Sequence, residues 1–233
     1  MLKNNIKKDM FVYKYRSDYS RDIDLLSKYK IYASSKLQLN DPFEGIIKPK
    51  ILDDYEVIKH LISPLEYEKK LRLVKKLIED IKFIGIYSLS EKWNDELLWS
   101  HYADSHKGFC IEFNINEIIQ NKVKRIIFPE IIKIRYRKEP PTYSLSFMEN
   151  MTYKKLLKIL IGTKSKSWKH EDEIRILFNE LGFQEINSQS IKSIIFGVNA
   201  SEKNIQSTIE KMGDKIMYYK ICINKYNLKK IEI

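Results

Sequence analysis

The chain has 233 residues and a mass of 27.9 kDa, with 43% hydrophobic and 31% charged residues but only 7 Gly and 6 Pro, which excludes collagen-like and low-complexity chains. Its 15 Tyr, 10 Phe and many Ile can bury a core, and no run approaches the roughly 20 apolar residues that a bilayer-spanning helix needs. The formal charge of +11 is concentrated: residues 121–170 hold 13 Lys or Arg against Glu130, Glu139 and Glu149.

The basic start, Met1 to Lys8, lacks a following apolar run, so no secretory signal is read there. Phe11–Arg16 is short and aromatic-rich, a strand, and Ser17–Ser20 is a polar turn. Arg21–Tyr29 is a short amphipathic helix carrying Ile23, Leu25 and Leu26, and Lys30–Ser34 is a second strand. Asn40 to Gly45 is a turn cluster, since Pro42 disfavours helix at Asp41. Residues 54–82 show the longest helical pattern, with Pro64 dividing it into two helices. Phe83–Leu89 reads as a buried strand, Lys92–Tyr102 as helix and Gly108–Phe113 as strand. Ile131–Tyr136 is a strand running into Pro140 and Pro141, followed by an amphipathic helix over Thr152–Thr163. Asp172–Phe178 alternates, with Glu173, Arg175 and Leu177 on one face and Ile174, Ile176 and Phe178 on the other. Ile191–Val198 is strand, Ala200–Met212 helix, and Tyr218–Ile223 and Leu228–Ile233 strands.

Short strands irregularly mixed with helices predict an α+β fold. The expected organisation is one domain over 1–233, made of mixed and antiparallel strands with peripheral helices, with 54–82 as a helical insertion. Cys110 and Cys222 sit in apolar strand-like runs and read as buried free thiols of a cytoplasmic protein. No membrane partner is expected. The basic segment 121–170 makes nucleic acid a candidate partner, because clustered Lys attracts phosphate without reading bases; a solvated lysine-rich face is the alternative.

Several catalytic signatures are missing. Glycine is too scarce for a phosphate-binding loop, no GxSxG elbow occurs, and His60, His101, His106 and His170 form no HExxH pattern, so no metal is expected. Three clusters stand out instead. The first is Tyr13-Lys14-Tyr15-Arg16-Ser17, where Arg16 at a strand end either clamps a phosphate or makes a surface ion pair. The second joins Tyr87-Ser88-Leu89-Ser90 to Trp99-Ser100-His101-Tyr102, which either holds a planar heterocycle or packs as core with a polar tip. The third is Trp168 to Arg175, in which Glu171 and Glu173 share one strand face. Like charges so placed disfavour each other unless a cation or a polar ligand sits between them. Arg175 makes them a salt-bridged face, or else a carboxylate there stabilises a developing positive charge.

These clusters, with Asn40-Asp41-Pro42-Phe43-Glu44 and the Lys107 to Phe113 run, resemble bacterial domain-of-unknown-function family 2971 over about residues 11–200. The order Arg16, then Ser88-Leu89-Ser90, then Glu171-Asp172-Glu173 is more distantly similar to the Arg, Ser-Thr-Ser and Glu-x-Glu pattern of ADP-ribosyltransferases, with Leu89 in place of Thr. That resemblance implies split sheets and NAD as substrate. Arg16 would hold phosphate or ribose, and Ser88 and Ser90 would brace the pocket. Glu173 would be the catalytic carboxylate and Glu171 would steer the acceptor, with Tyr15, Trp99, His101 and Tyr102 lining the ring sites. The implied function is an ADP-ribosyltransferase-like protein, a toxin or phage-defence effector that modifies nucleic acid. The alternative is a non-catalytic nucleic-acid-binding or sensor protein. A metal-dependent nuclease using Asp104, Glu112 or Glu173 ranks last, since no nuclease spacing occurs.

Overall fold

The computed structural model describes residues 10–43, 63–119, 129–141 and 152–233. Strands β1 (Phe11–Arg16), β2 (Lys30–Ala33), β3 (Gly85–Ser90), β4 (Phe109–Asn114), β5 (Glu130–Lys133) and β6 (Arg135–Arg137) precede β7 (Thr163–Ser165) and β8 (Glu173–Phe178). Then come β9 (Gly182–Glu185), β10 (Ile191–Phe196), β11 (Met217–Asn224) and β12 (Asn227–Glu232). The helices are α1 (Tyr19–Ser27), α2 (Pro64–Phe83), α3 (Glu96–Tyr102), α4 (Ile115–Ile118), α5 (Tyr153–Ile161) and α6 (Glu202–Met212).

Eight strands form one sheet in the order β12-β11-β10-β4-β1-β3-β8-β5. The pairings are antiparallel except β10 with β11, which run parallel. Two small sheets, β2-β9 and β6-β7, stand apart. The class is therefore α+β, as the mixed pattern of short strands and helices implies. Period-two alternation sends each strand's side chains to two cores. Val12, Tyr87, Leu89, Ile174, Ile176 and Phe196 pack with Ile23 and Leu26 of α1 and Ile205 of α6. Tyr13, Tyr15, Cys110 and Ile195 pack on the other face with Leu98 and Trp99 of α3.

One irregularity positions the site. β1 pairs with β4 along its whole length, from Phe11↔Asn114 to Arg16↔Phe109, yet meets β3 at a single register pair, Tyr13↔Ser90. Beyond it the two strands part. The backbone of Ser34 takes over the vacated edge of β3, exchanging two hydrogen bonds with Ile86 at 2.8 and 2.9 Å. The split sheets implied by the resemblance are thus a seam within one sheet.

Several expected boundaries shift for local reasons. α1 begins before Arg21 because Asp18 caps it, accepting from the Arg21 amide. A helix starts at the expected division: Pro64 occupies the first turn of α2 behind the Ser63 cap, where a missing N–H costs nothing. Residues 54–62 of the expected insertion lie outside the described residues. The one strand expected over 131–136 is two. Residues 130–133 pair with β8, and 135–137 leave to pair with β7, with the amide of buried Ile134 donating to the Glu173 carbonyl. Cys110 is buried but Cys222 only half-buried, and both are unpaired. No described helix is long and apolar enough to cross a membrane.

Candidate functional site

The seam opens into a cleft of about 360 Å³. Of the residues singled out from sequence, Tyr15, Arg16, Ser88, Ser90, His101, Tyr102, Glu171 and Glu173 all line it. Trp99 does not. It is wholly buried beneath Tyr15, edge-on at 5.1 Å between centroids, and its Nε1 donates to the Trp93 carbonyl at 2.7 Å. A large aromatic on the inner face of a short helix is core first, so Trp99 supports the wall of the cleft and offers a ligand nothing.

One end of the cleft is cationic. Alternation along β1 turns Lys14 and Arg16 toward the α1 side of the sheet. Asp22, buried on α1, takes Arg21 bidentately at 3.0 and 3.1 Å and lies 3.7 Å from the Arg16 guanidinium. Arg21 also lies 3.9 Å from the exposed Asp18 carboxylate, so two guanidiniums meet one buried and one exposed carboxylate at this end of the cleft. Lys14 stands deeper, at the parting of the strands. Its Nζ donates to the Ser88 carbonyl at 2.6 Å and lies 5.1 Å from the centre of the Tyr87 ring.

The other end is a neutralised carboxylate pair. Glu171 and Glu173 do not share a strand as expected. Glu171 ends a 3-10 turn over Lys166–Glu171, Asp172 adopts a left-handed φ of 41°, and β8 begins only at Glu173. The two carboxylates still converge, because both bind the buried ammonium of Lys164, at 2.6 Å from Glu171 and 3.2 Å from Glu173. Arg175 grips Glu173 with Nε at 2.6 Å and Nη2 at 3.1 Å, and its Nη1 donates to the Ile161 carbonyl at 2.6 Å. Burial alone would raise the Glu173 pKa, but Arg175 and Lys164 outweigh it and hold the carboxyl well below the usual range. Glu173 is thus ionised at every physiological pH. Tyr102 donates to Glu171 at 2.6 Å and accepts from the Asn40 amide; burial and the Glu171 carboxylate push its hydroxyl pKa far up, so it stays a donor.

The serines play different parts. Ser90 Oγ donates to the Glu171 carbonyl at 2.7 Å and accepts from the Lys92 amide at 3.0 Å, so it fixes the turn that aims Glu171. Ser88 Oγ is buried beside Glu173 without a well-formed hydrogen bond. Tyr15 donates to the Lys92 carbonyl at 2.9 Å and forms part of the floor. His101 is exposed at the rim. Arg16 and Glu173 stand on opposite faces of the sheet by alternation. They reach one cleft because the seam passes through the sheet between them.

Lys14, Arg21, Lys164 and Asn40 belong to the site although the sequence reading does not assign them to it. Lys14 lies inside the Tyr13–Ser17 cluster, which is signal enough to have found it. Asn40 reads as a turn residue, and nothing local marks Lys164 among its many neighbouring lysines. The basic segment lies partly outside the described residues. Within them, Lys154 and Lys158 pair with Glu130, at 2.7 and 2.5 Å, and Lys133 pairs with Glu91. Arg135, Arg137, Lys138, Lys155, Lys166 and Lys169 are exposed and form no ion pair among the described residues. No group of three His, Cys, Asp or Glu side chains gathers as a metal site among those residues.

No curated protein and no solved structure matches the chain. The family model described as protein of unknown function, DUF2971, matches residues 98–176, which span α3 to the middle of β8. The matched stretch includes His101, Tyr102, Lys164, Glu171 and Glu173 and leaves out Lys14, Arg16, Ser88 and Ser90, narrower than the 11–200 that the motifs suggest. Over those 79 residues, then, the chain is similar to a family defined by its sequence rather than by an activity.

Proposed function

We propose that the cleft binds NAD and transfers its ADP-ribosyl group, with nucleic acid as acceptor. The observation that carries this reading is that Arg16, Ser88, Ser90 and Glu173, which are spread over three strands, line one cleft. Arg16 and Arg21 supply the positive charge for a diphosphate. Ser88 and Ser90 wall the nicotinamide side, and Glu173 faces the ribose. The reaction needs little acid–base help. The bond from ribose C1 to the nicotinamide nitrogen breaks with its electron pair passing to the ring, which leaves neutral. The acceptor then bonds to C1 and gives up a proton. A permanently ionised Glu173 suits a sugar carrying positive charge in the transition state. The exposed cations Arg135, Arg137, Lys138, Lys166 and Lys169 lie on β6, just after it and on the turn that ends at Glu171, where they would draw a polynucleotide toward the site.

A second reading, a nucleic-acid-binding or sensor protein without turnover, is favoured by one observation. Both oxygens of Glu173 are engaged by Arg175 and Lys164, which offset the charge that a catalytic carboxylate would offer. The deciding experiment incubates the protein with NAD, with and without RNA or DNA, and follows nicotinamide release by chromatography alongside folded Glu173→Gln. Release that Glu173→Gln abolishes supports the transferase. NAD binding without release supports the sensor, and neither binding nor release overturns the reading of the cleft as an NAD site.

A further inference from the structure

We propose that Lys14 is a covalent residue of this cleft, its Nζ condensing with the aldehyde of a small phosphorylated carbonyl compound to form an imine. This stands apart from the NAD reading, since it needs neither nicotinamide nor a ribosyl transfer.

The geometry of Lys14 differs from that of every other cation in the site. Arg16 and Arg21 share Asp22, and Lys164 is enclosed by two carboxylates. Lys14 lines the open cleft, is anchored to a neutral carbonyl, and forms no ion pair among the described residues. The groups that face it are the guanidinium of Arg16 and the ring of Tyr87, with Asp22, Glu171 and Glu173 acting from farther away. Burial first, and then Arg16, oppose its positive charge, and they outweigh the three carboxylates, so its pKa falls to about 7. A lysine must be neutral to act as a nucleophile, and burial beside another cation is the ordinary way to reach that state near neutral pH. The guanidiniums of Arg16 and Arg21, which line the same cleft, give a phosphate its place beside the amine.

The step balances without a redox partner. The Nζ lone pair forms the carbon–nitrogen bond while the carbonyl pair moves to oxygen. The resulting carbinolamine loses that oxygen with the two amine hydrogens as one water, leaving the imine.

Pyridoxal phosphate is a suitable probe, because it carries an aldehyde, a phosphate and a planar ring. The full chain is incubated with it at low micromolar concentration, reduced with borohydride and mapped by peptide mass spectrometry. The expected result is a single label at Lys14, formed at least tenfold faster than at exposed Lys107, with half-maximal labelling near pH 7. Pyridoxal without its phosphate should label Lys14 several-fold more slowly, and Arg16→Gln should remove most of that difference. Lys14→Arg, which keeps the charge, should lose the label while its melting temperature shows that it is folded. Labelling spread over exposed lysines, with Lys14 no faster than Lys107, overturns the proposal. So does a Lys14 rate that does not depend on the phosphate.

Discussion

Replacing Lys164 with Met is the sharpest perturbation of the site's electrostatics. The Lys164 side chain is 2% exposed, and among the described residues its ammonium is the one cation that touches both Glu171 and Glu173. Met keeps the volume of the stem and deletes the charge. Arg175 still neutralises Glu173, but among the described residues Glu171 is left buried with the Tyr102 hydroxyl as its side-chain partner. Breaking a buried pair from one side strands an uncompensated charge at a cost of about 3–5 kcal/mol. For a chain of this size that lowers the melting temperature by roughly 6–20 °C. The assay is urea unfolding at pH 7 together with a thermal scan, on Lys164→Met and on Lys164→Met/Glu171→Gln. The double variant removes the stranded charge and should recover a large part of the loss. A single-variant loss below about 1 kcal/mol, or no recovery in the double variant, would refute the view that Lys164 is what holds the two carboxylates together.

Four further outcomes follow from the same geometry. Glu173 has a folded pKa below its unfolded value, so its contribution is present above the ordinary glutamate range and lost as pH falls through that range and below; acid unfolding curves of wild type and Glu173→Gln should converge at low pH. Lys14 gives a pH slope of the same sign, but as a penalty on its charged form that is relieved as pH rises: its depressed pKa makes stability rise with pH between about 7 and 10.5, and Lys14→Met should stabilise the fold at pH 6, read by urea midpoint. Gly108→Ala places a Cβ 2.1 Å from the Arg16 carbonyl and 3.0 Å from Ala103, all backbone atoms that cannot yield, so it should cost about 1–3 kcal/mol in urea unfolding and weaken anion binding by displacing Arg16. Reversing Lys155, Lys166 and Lys169 to Glu should cut polynucleotide affinity at least tenfold and flatten its salt dependence in a filter-binding titration, whereas reversing Lys154 and Lys158 mainly breaks their ion pairs with Glu130.

The strands that build the site are legible because each is short, apolar and bounded by turn residues: β1, β4, β8 and β10 fall where aromatic and β-branched runs predict them. The cleft itself is not, because it depends on β1 leaving β3 after one register pair, and pairing between strands some 75 residues apart has no local signature. The meeting of Glu171 and Glu173 is expected on the wrong grounds. Strand alternation suggests it, but Asp172 breaks the strand and the convergence comes from Lys164. Trp99 shows the limit of composition: its neighbours His101 and Tyr102 reach the cleft, while helical spacing turns Trp99 inward.

The proposed NAD site is the cleft through the sheet, from the Arg16 end to the Glu173 end. A crystal structure of folded Glu173→Gln with NAD tests it most directly. The diphosphate should lie against Arg16 and Arg21, and the nicotinamide ribose should face position 173 between Ser88 and Tyr102. NAD bound elsewhere on the molecule, or a cleft still empty at saturating NAD, would contradict it.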